Sequence, residues 1–208
     1  MSQLISKKIA VLISGGGTNL QALIDNQGNI NGTIDIVISN RKDAYGLERA
    51  RLNNIDALYI NQKDYESVEA FNNEIIKELT KRNIDLVVLA GYLKILSKDF
   101  INCFKNRIIN IHPSLIPSFC GNGFYGLKVH EEAIKYGVKI SGATVHFVDE
   151  EADTGAIILQ DTVKIDDNET AESLQKKVLQ IEHKLLPEAV RLFCNGKLHI
   201  ANRKVIVK

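Results

Sequence analysis

Three side chains in this sequence stand where polar chemistry could be put to use. Asn110 and His112 lie two apart in Asn110-Ile111-His112-Pro113-Ser114, at the end of an apolar run. In an extended chain residues i and i+2 point the same way, so the amide and the imidazole share a face. That pairing suits acyl transfer: the amide steadies a developing oxyanion and the imidazole moves a proton. Taken alone, a histidine at a strand end is more often a structural hydrogen-bonder. The third group is Asp153, in Asp149-Glu150-Glu151-Ala152-Asp153-Thr154-Gly155. A solvated acidic turn is the plain reading, and it is the expectation for Glu150 and Glu151. Asp153 differs because Gly155 and an apolar strand follow it. Tucked inward, its carboxylate would orient His112 and raise the histidine's pKa.

A second motif is Ser14-Gly15-Gly16-Gly17-Thr18-Asn19, between an apolar run and a helical pattern. Glycines let the backbone turn tightly, and free N–H groups at a helix start attract an anion. The dinucleotide fingerprint is incomplete, since Leu20 stands where its last glycine belongs, and the P-loop lysine is missing. A phosphate monoester fits better than a dinucleotide or ATP. On that reading a side chain at Gly17 would take the anion's place. The other reading, a tight turn with Thr18 as helix cap, stays open at this point.

These groups need a scaffold, and the hydrophobic pattern supplies one. Apolar, β-branched runs over 9–14, 34–39, 57–60, 86–90 and 108–111 read as parallel strands buried on both faces. Helical patterns over 19–25, 47–52, 68–81 and 98–104 alternate with them; the third carries Phe71, Ile75, Ile76 and Leu79 on one stripe. The rhythm then changes to two strands over 141–148 and 156–163, read as an antiparallel edge, and a helix from 170 to about 193. The expectation is an α/β fold: a doubly wound, mostly parallel sheet with helices on both faces, as one domain over residues 1–208.

Composition narrows the class. Apolar residues make up 45% and charged residues 25% of 208, with a net charge of +1. Nothing there suggests disorder, a nucleic-acid footprint or a membrane protein, so an anionic ligand must be held by a local site. The first apolar run is too short for a signal-peptide core. Cys103, Cys120 and Cys194 are odd in number and form no C-x-x-C pair, which points to reduced thiols and a cytoplasmic location. No histidine and acid spacing suggests a metal site.

Five segments together resemble one family: VLISGGGTNLQALID, ISNRKDAYGLERA, LVVLAGYLKILS, NIHPSLIPSFCGNGFYGLKVHEEAI and GATVHFVDEEADTGAIILQ. The chain resembles the phosphoribosylglycinamide formyltransferases, the folate-dependent enzymes of the third step of de novo purine biosynthesis. The NIHPS segment with the later D-x-G is shared across the wider folate formyltransferase superfamily. The resemblance implies the formyltransferase fold and transfer of a formyl group from 10-formyltetrahydrofolate, as co-substrate, to the amine of 5'-phosphoribosylglycinamide, with no metal. It implies Asn110, His112 and Asp153 as the catalytic trio. It implies Gly17, Thr18, Asn19 and Glu182 for the ribotide, favouring the phosphate reading of the glycine turn. It assigns Leu93, Lys94, Ile95 and Leu96, with Asp149, Glu150, Glu151 and Ala152, to the folate. His146 and His130 match positions often held by histidine in the family and are expected to be structural. Val68 stands where some relatives carry a basic residue near the folate tail, with Lys63 the nearby cation. The longer, glycine-rich segment from Cys120 to Gly126 is either a gate or a surface insertion.

The implied partners are small molecules, with no nucleic acid or membrane; monomer and homodimer both remain open. Two other classes compete. A formyltetrahydrofolate hydrolase or a tRNA formyltransferase would carry a further domain, for which 208 residues leave no room. A non-catalytic nucleotide-sensing module would need the glycine turn but not the three polar groups together.

Overall fold

Strand β1 (Lys7–Ile13) shows why the sheet is central. Its Ile9, Val11 and Ile13 belong to one apolar layer and Ala10 and Leu12 to the other, all buried. A strand covered on both sides can afford no polar face. The structure, a computed structural model, describes residues 6–208. Parallel to β1 run β2 (Gly32–Ser39), β3 (Asp56–Tyr59), β4 (Leu86–Leu89) and β5 (Ile108–His112), in the order β3-β2-β1-β4-β5.

Helices α1 (Thr18–Asp25), α2 (Tyr45–Leu52), α5 (Leu127–Tyr136) and α6 (Ala171–Cys194) cover one face, and α3 (Val68–Lys81) and α4 (Lys98–Cys103) the other. In α3 the stripe Phe71, Ile75 and Leu79 is fully buried, while Ile76 packs at its margin. Each such side chain contributes roughly 1.5–3 kcal/mol of burial. Ser67 starts α3 by accepting the Ala70 N–H. Thr170 and Ser173 form the reciprocal cap that starts α6.

Strands β6 (Ile140–Phe147) and β7 (Ile157–Lys164) join antiparallel beyond β5. Two features lie outside the pattern read from the sequence. Helix α5 was not expected, because it follows a glycine-rich stretch and buries only Val129, His130 and Ala133. The hairpin β8 (Leu198–Ala201) and β9 (Lys204–Val207) was not expected either. It docks β9 on β7 through Ile157 and Lys204, so β7 is not an edge of the sheet, which has nine strands among the described residues. Its short strands carry alternating but half-exposed residues, a weak signal.

Winding reverses between β1, which leads outward to β2, and β4, which lies on its other side. Ligands of open α/β sheets sit at the carboxyl ends of the strands flanking such a reversal. The glycine turn leaves β1 there, and Asn110 and His112 end β5 one strand further along.

Candidate active site

Asp153 is the hub. Its Oδ2 accepts the Gly121 N–H at 2.9 Å and lies 3.4 Å from His112 Nδ1. Its Oδ1 faces Asn110 Nδ2 at 3.4 Å and His146 Nε2 at 3.5 Å. The loop that delivers it is tight. Asp153 itself has φ of 59°, and a Cβ on Gly155 would stand 1.7 Å from the Phe147 carbonyl oxygen. Only glycine allows that approach.

The two histidines are set by backbone carbonyls. His112 Nε2–H donates to Phe119 O at 2.9 Å, which leaves Nδ1 facing the carboxylate. His146 Nδ1–H donates to Phe147 O at 2.8 Å, so its Nε2 accepts an N–H of Asn110 at 3.1 Å. The loop bearing Phe119 is itself tied down. Thr144 on β6 donates to Ser114 O at 2.7 Å and accepts the Ile116 N–H at 3.1 Å. Gln160 on β7 donates to Ile116 O at 3.1 Å and to Thr144 Oγ1 at 2.9 Å.

The electrostatics correct one expectation. Burial pushes the His112 ring below its usual pKa; Asp153 and the Phe119 carbonyl pull upward without prevailing, and His146 adds to the depression. Asp153 therefore does not raise His112 above an ordinary histidine, because desolvation of the charged ring is the larger effect. For Asp153 burial works upward, but the neighbouring His146 and His112 rings and the Gly121 N–H outweigh it, holding the carboxyl below its usual range. Burial and the Asp153 charge push the nearby Cys120 thiol up, away from the thiolate form.

These groups floor a cavity of about 850 Å³. Residues 91–96 line it, with Leu93 and Ile95 exposed and Leu96 buried, and so do residues 148–152 and Thr154. Asn122, Phe124 and Tyr125 come in from the segment after Cys120, which is therefore part of the wall and not a surface insertion. Glu150 reaches across to Lys98 at 3.3 Å. Val68 and Lys63 do not line the cavity.

The glycine turn lies outside that cavity but is joined to it by Ser14. Ser14 Oγ donates to Asn40 Oδ1 at 2.6 Å and accepts the Leu93 N–H at 2.8 Å, while Ser14 N–H donates to Gly91 O. Gly17, with φ of 70°, caps α1, so Thr18 is not the cap. Asn19 Nδ2 donates to Glu182 Oε2 at 2.6 Å, and burial raises the Glu182 pKa against that bond. Asn19 and Glu182 are thus a buried pair, separate from the trio's immediate contacts, while Gly17 packs on α2. A Cβ on Gly17 would strike Gly46 Cα at 2.7 Å, so a side chain there meets α2 and not the place of an anion. Gly15 and Gly16 have open space on that side instead.

A family pattern described as formyl transferase matches residues 7–190. The phosphoribosylglycinamide formyltransferase of Haemophilus influenzae is 41% identical over 93% of this chain and 90% of its own. The chain belongs to the phosphoribosylglycinamide formyltransferase family. Its structure also resembles the crystal structure of glycinamide ribonucleotide transformylase 1 from Symbiobacterium toebii, with TM-score 0.94 and 45% identity over 99% of this chain and 95% of that one. It is 41% identical to the chloroplastic phosphoribosylglycinamide formyltransferase of Arabidopsis thaliana over 92% of this chain, spanning 67% of that protein. Of the trifunctional purine biosynthetic protein adenosine-3 of Chironomus tentans it spans 14%, at 42% identity over 95% of this chain.

Within this formyltransferase, Thr144 and Ser14, given no role from the sequence, and His146, expected to be structural, stand at the site. His146 pairs across the sheet with Asn110, and Thr144 with His112. The alternation that puts Ala143, Val145 and Phe147 in the core could have found both, since the residues between them must face the other way. Ser14 carried no such signal; its partners Asn40 and Leu93 are brought to it only by the sheet. His130 on α5 is buried with an unpartnered Nδ1, and burial, aided by nearby His112, pushes its pKa to about 4.

Proposed function

We propose that this formyltransferase moves a formyl group from 10-formyltetrahydrofolate to the amine of 5'-phosphoribosylglycinamide by direct attack. The observation that carries this is the meeting of Asn110, His112 and Asp153 on the floor of the cavity. The family resemblance supplies the substrates.

The amine nitrogen bonds to the formyl carbon, and the carbonyl electron pair moves to oxygen. Both N–H groups of Asn110 have partners, at 3.1 and 3.4 Å; the longer, on Asp153, is weak enough to be given up to that oxyanion. Nε2 of His112 is committed to Phe119, so proton exchange belongs to Nδ1, beside Asp153. The amine loses a proton there, the bond from carbon to the folate nitrogen breaks, and that nitrogen gains a proton. No covalent enzyme intermediate is needed. The pterin is assigned to residues 93–96 and 149–152. Among the described residues no protein acceptor takes the N–H of Lys94, Ile95 or Leu96, whereas that of Leu93 is held by Ser14. The ribotide phosphate is assigned to the turn of Gly17, Thr18 and Asn19, with Glu182 beside it. Residues 1–208 act as one catalytic domain on small molecules, in the cytoplasm, where Cys103, Cys120 and Cys194 stay free.

The test is a folate-deformylation assay. Turnover is expected only with the glycinamide ribotide present. Equal folate consumption without the amine identifies a hydrolase and overturns the reading.

A further inference from the structure

Two carbonyls of the glycine turn are held by helix α2. Gly15 O accepts the Gly46 N–H at 3.1 Å, and Gly16 O accepts Arg49 Nε–H at 2.8 Å. Arg49 is fixed in turn: its Nη1 donates to Gln21 Oε1 at 3.0 Å, and its guanidinium carbon lies 4.9 Å from the centre of the Tyr45 ring. In a planar trans peptide the N–H points opposite to the C=O. Pulling Gly15 O and Gly16 O onto α2 therefore turns the N–H groups of Gly16 and Gly17 away from it. Among the described residues neither N–H has a protein acceptor, nor does that of Gly15. Asn19 Oδ1, in a residue only 8% exposed, is likewise without a partner.

Resting on the phosphate assignment above, we propose that Arg49 is a positioning residue which aims the turn's N–H groups at the phosphate of the ribotide. It acts through the Gly16 peptide and touches neither reacting atom. Without it the Gly16–Gly17 peptide is free to rotate, and the donors are no longer held in line for a monoester. Its positive charge alone would draw an anion from any side chain position nearby; the Nε bond to Gly16 O adds direction.

The test compares Arg49→Gln with the unaltered enzyme on two acceptors, the ribotide and its 5'-hydroxyl riboside. The KM for the ribotide is expected to rise roughly ten- to hundred-fold, as for lost charge-assisted hydrogen bonds, with kcat and the folate KM unchanged. The riboside kcat/KM should not move, and inorganic phosphate should weaken as a competitive inhibitor in step with the ribotide. An equal loss on both acceptors, or no loss on either, overturns the role of Arg49. If the unaltered enzyme itself uses ribotide and riboside equally well, the phosphate assignment fails first and the proposal with it. Should Arg49→Gln not fold, Arg49→Lys decides, since it keeps one donor for Gly16 O: a smaller rise confined to the ribotide supports the proposal, and an unchanged ribotide KM overturns it.

Discussion

Asp153 faces two histidines and an amide at once, so its removal should be felt in turnover before affinity. Asp153→Asn keeps the shape and deletes the charge. We expect kcat to fall roughly 10²–10⁴-fold with little change in KM, the range for losing a positioned acid–base group. The sign of the pH effect follows from the site. Burial depresses His112, and Asp153 is what opposes it. Losing that charge lowers the His112 pKa further, so the limb of the kcat profile that reports the imidazolium should move to lower pH. A limb that stayed in place would mean that His112 does not titrate in the rate. Asn110→Ala should cost roughly 10²-fold or more through the lost oxyanion donor. The double change of His112 and Asp153 should cost less than the product of the singles, because the two side chains stand in direct contact, 3.4 Å apart.

At the level of elements, the turn and its neighbours decide which glycine is informative. Gly17 packs against Gly46 on α2, and its φ is left-handed, so Gly17→Val should loosen α1 from α2 and weaken both substrates together. Gly16→Ala adds a methyl where nothing protein lies within 4 Å. It should lower ribotide affinity, read by isothermal titration, while folate binding and Tm hold. Thr144 offers the complementary test on β6. Thr144→Val keeps the shape but strands Ser114 O and the Ile116 N–H. A loss of about 1–3 kcal/mol is expected in urea unfolding, with a drop in kcat as Phe119 O loses its hold on His112.

For the whole molecule the buried histidines set the response to acid. His112 and His130 both have pKa values depressed below the unfolded value by burial, His130 to about 4. Below pH of about 6.5 the unfolded chain binds protons that the folded one refuses. Stability should therefore be complete above that pH and fall as pH drops toward about 4. Urea midpoints across this window should show it, and His130→Leu should flatten the slope. Chelators should leave the rate unchanged, the expectation drawn from the spacing of the histidines and acids in the sequence.

Much of this protein was legible before any fold was drawn. Four of the five parallel strands announce themselves because burial on both faces demands unbroken apolar runs, as in Ile9 to Ile13; β3, read the same way, is instead a half-exposed strand at the end of the sheet. Asn110 and His112 share a face by the period of a strand alone, and Gly155 marks the loop that turns Asp153 inward. These are local properties, written in residues a few positions apart. What the tertiary structure decided is everything that depends on distance in sequence. Helix α5 and the hairpin β8–β9 have weak patterns and stand because they pack on elements already formed. Ser14 meets Asn40 and Leu93, and Arg49 meets Gly16, only once the sheet sets their strands and helices side by side. The direction of the His112 pKa was likewise beyond the sequence: the charge of Asp153 can be read there, but the burial that outweighs it exists only in the packed molecule.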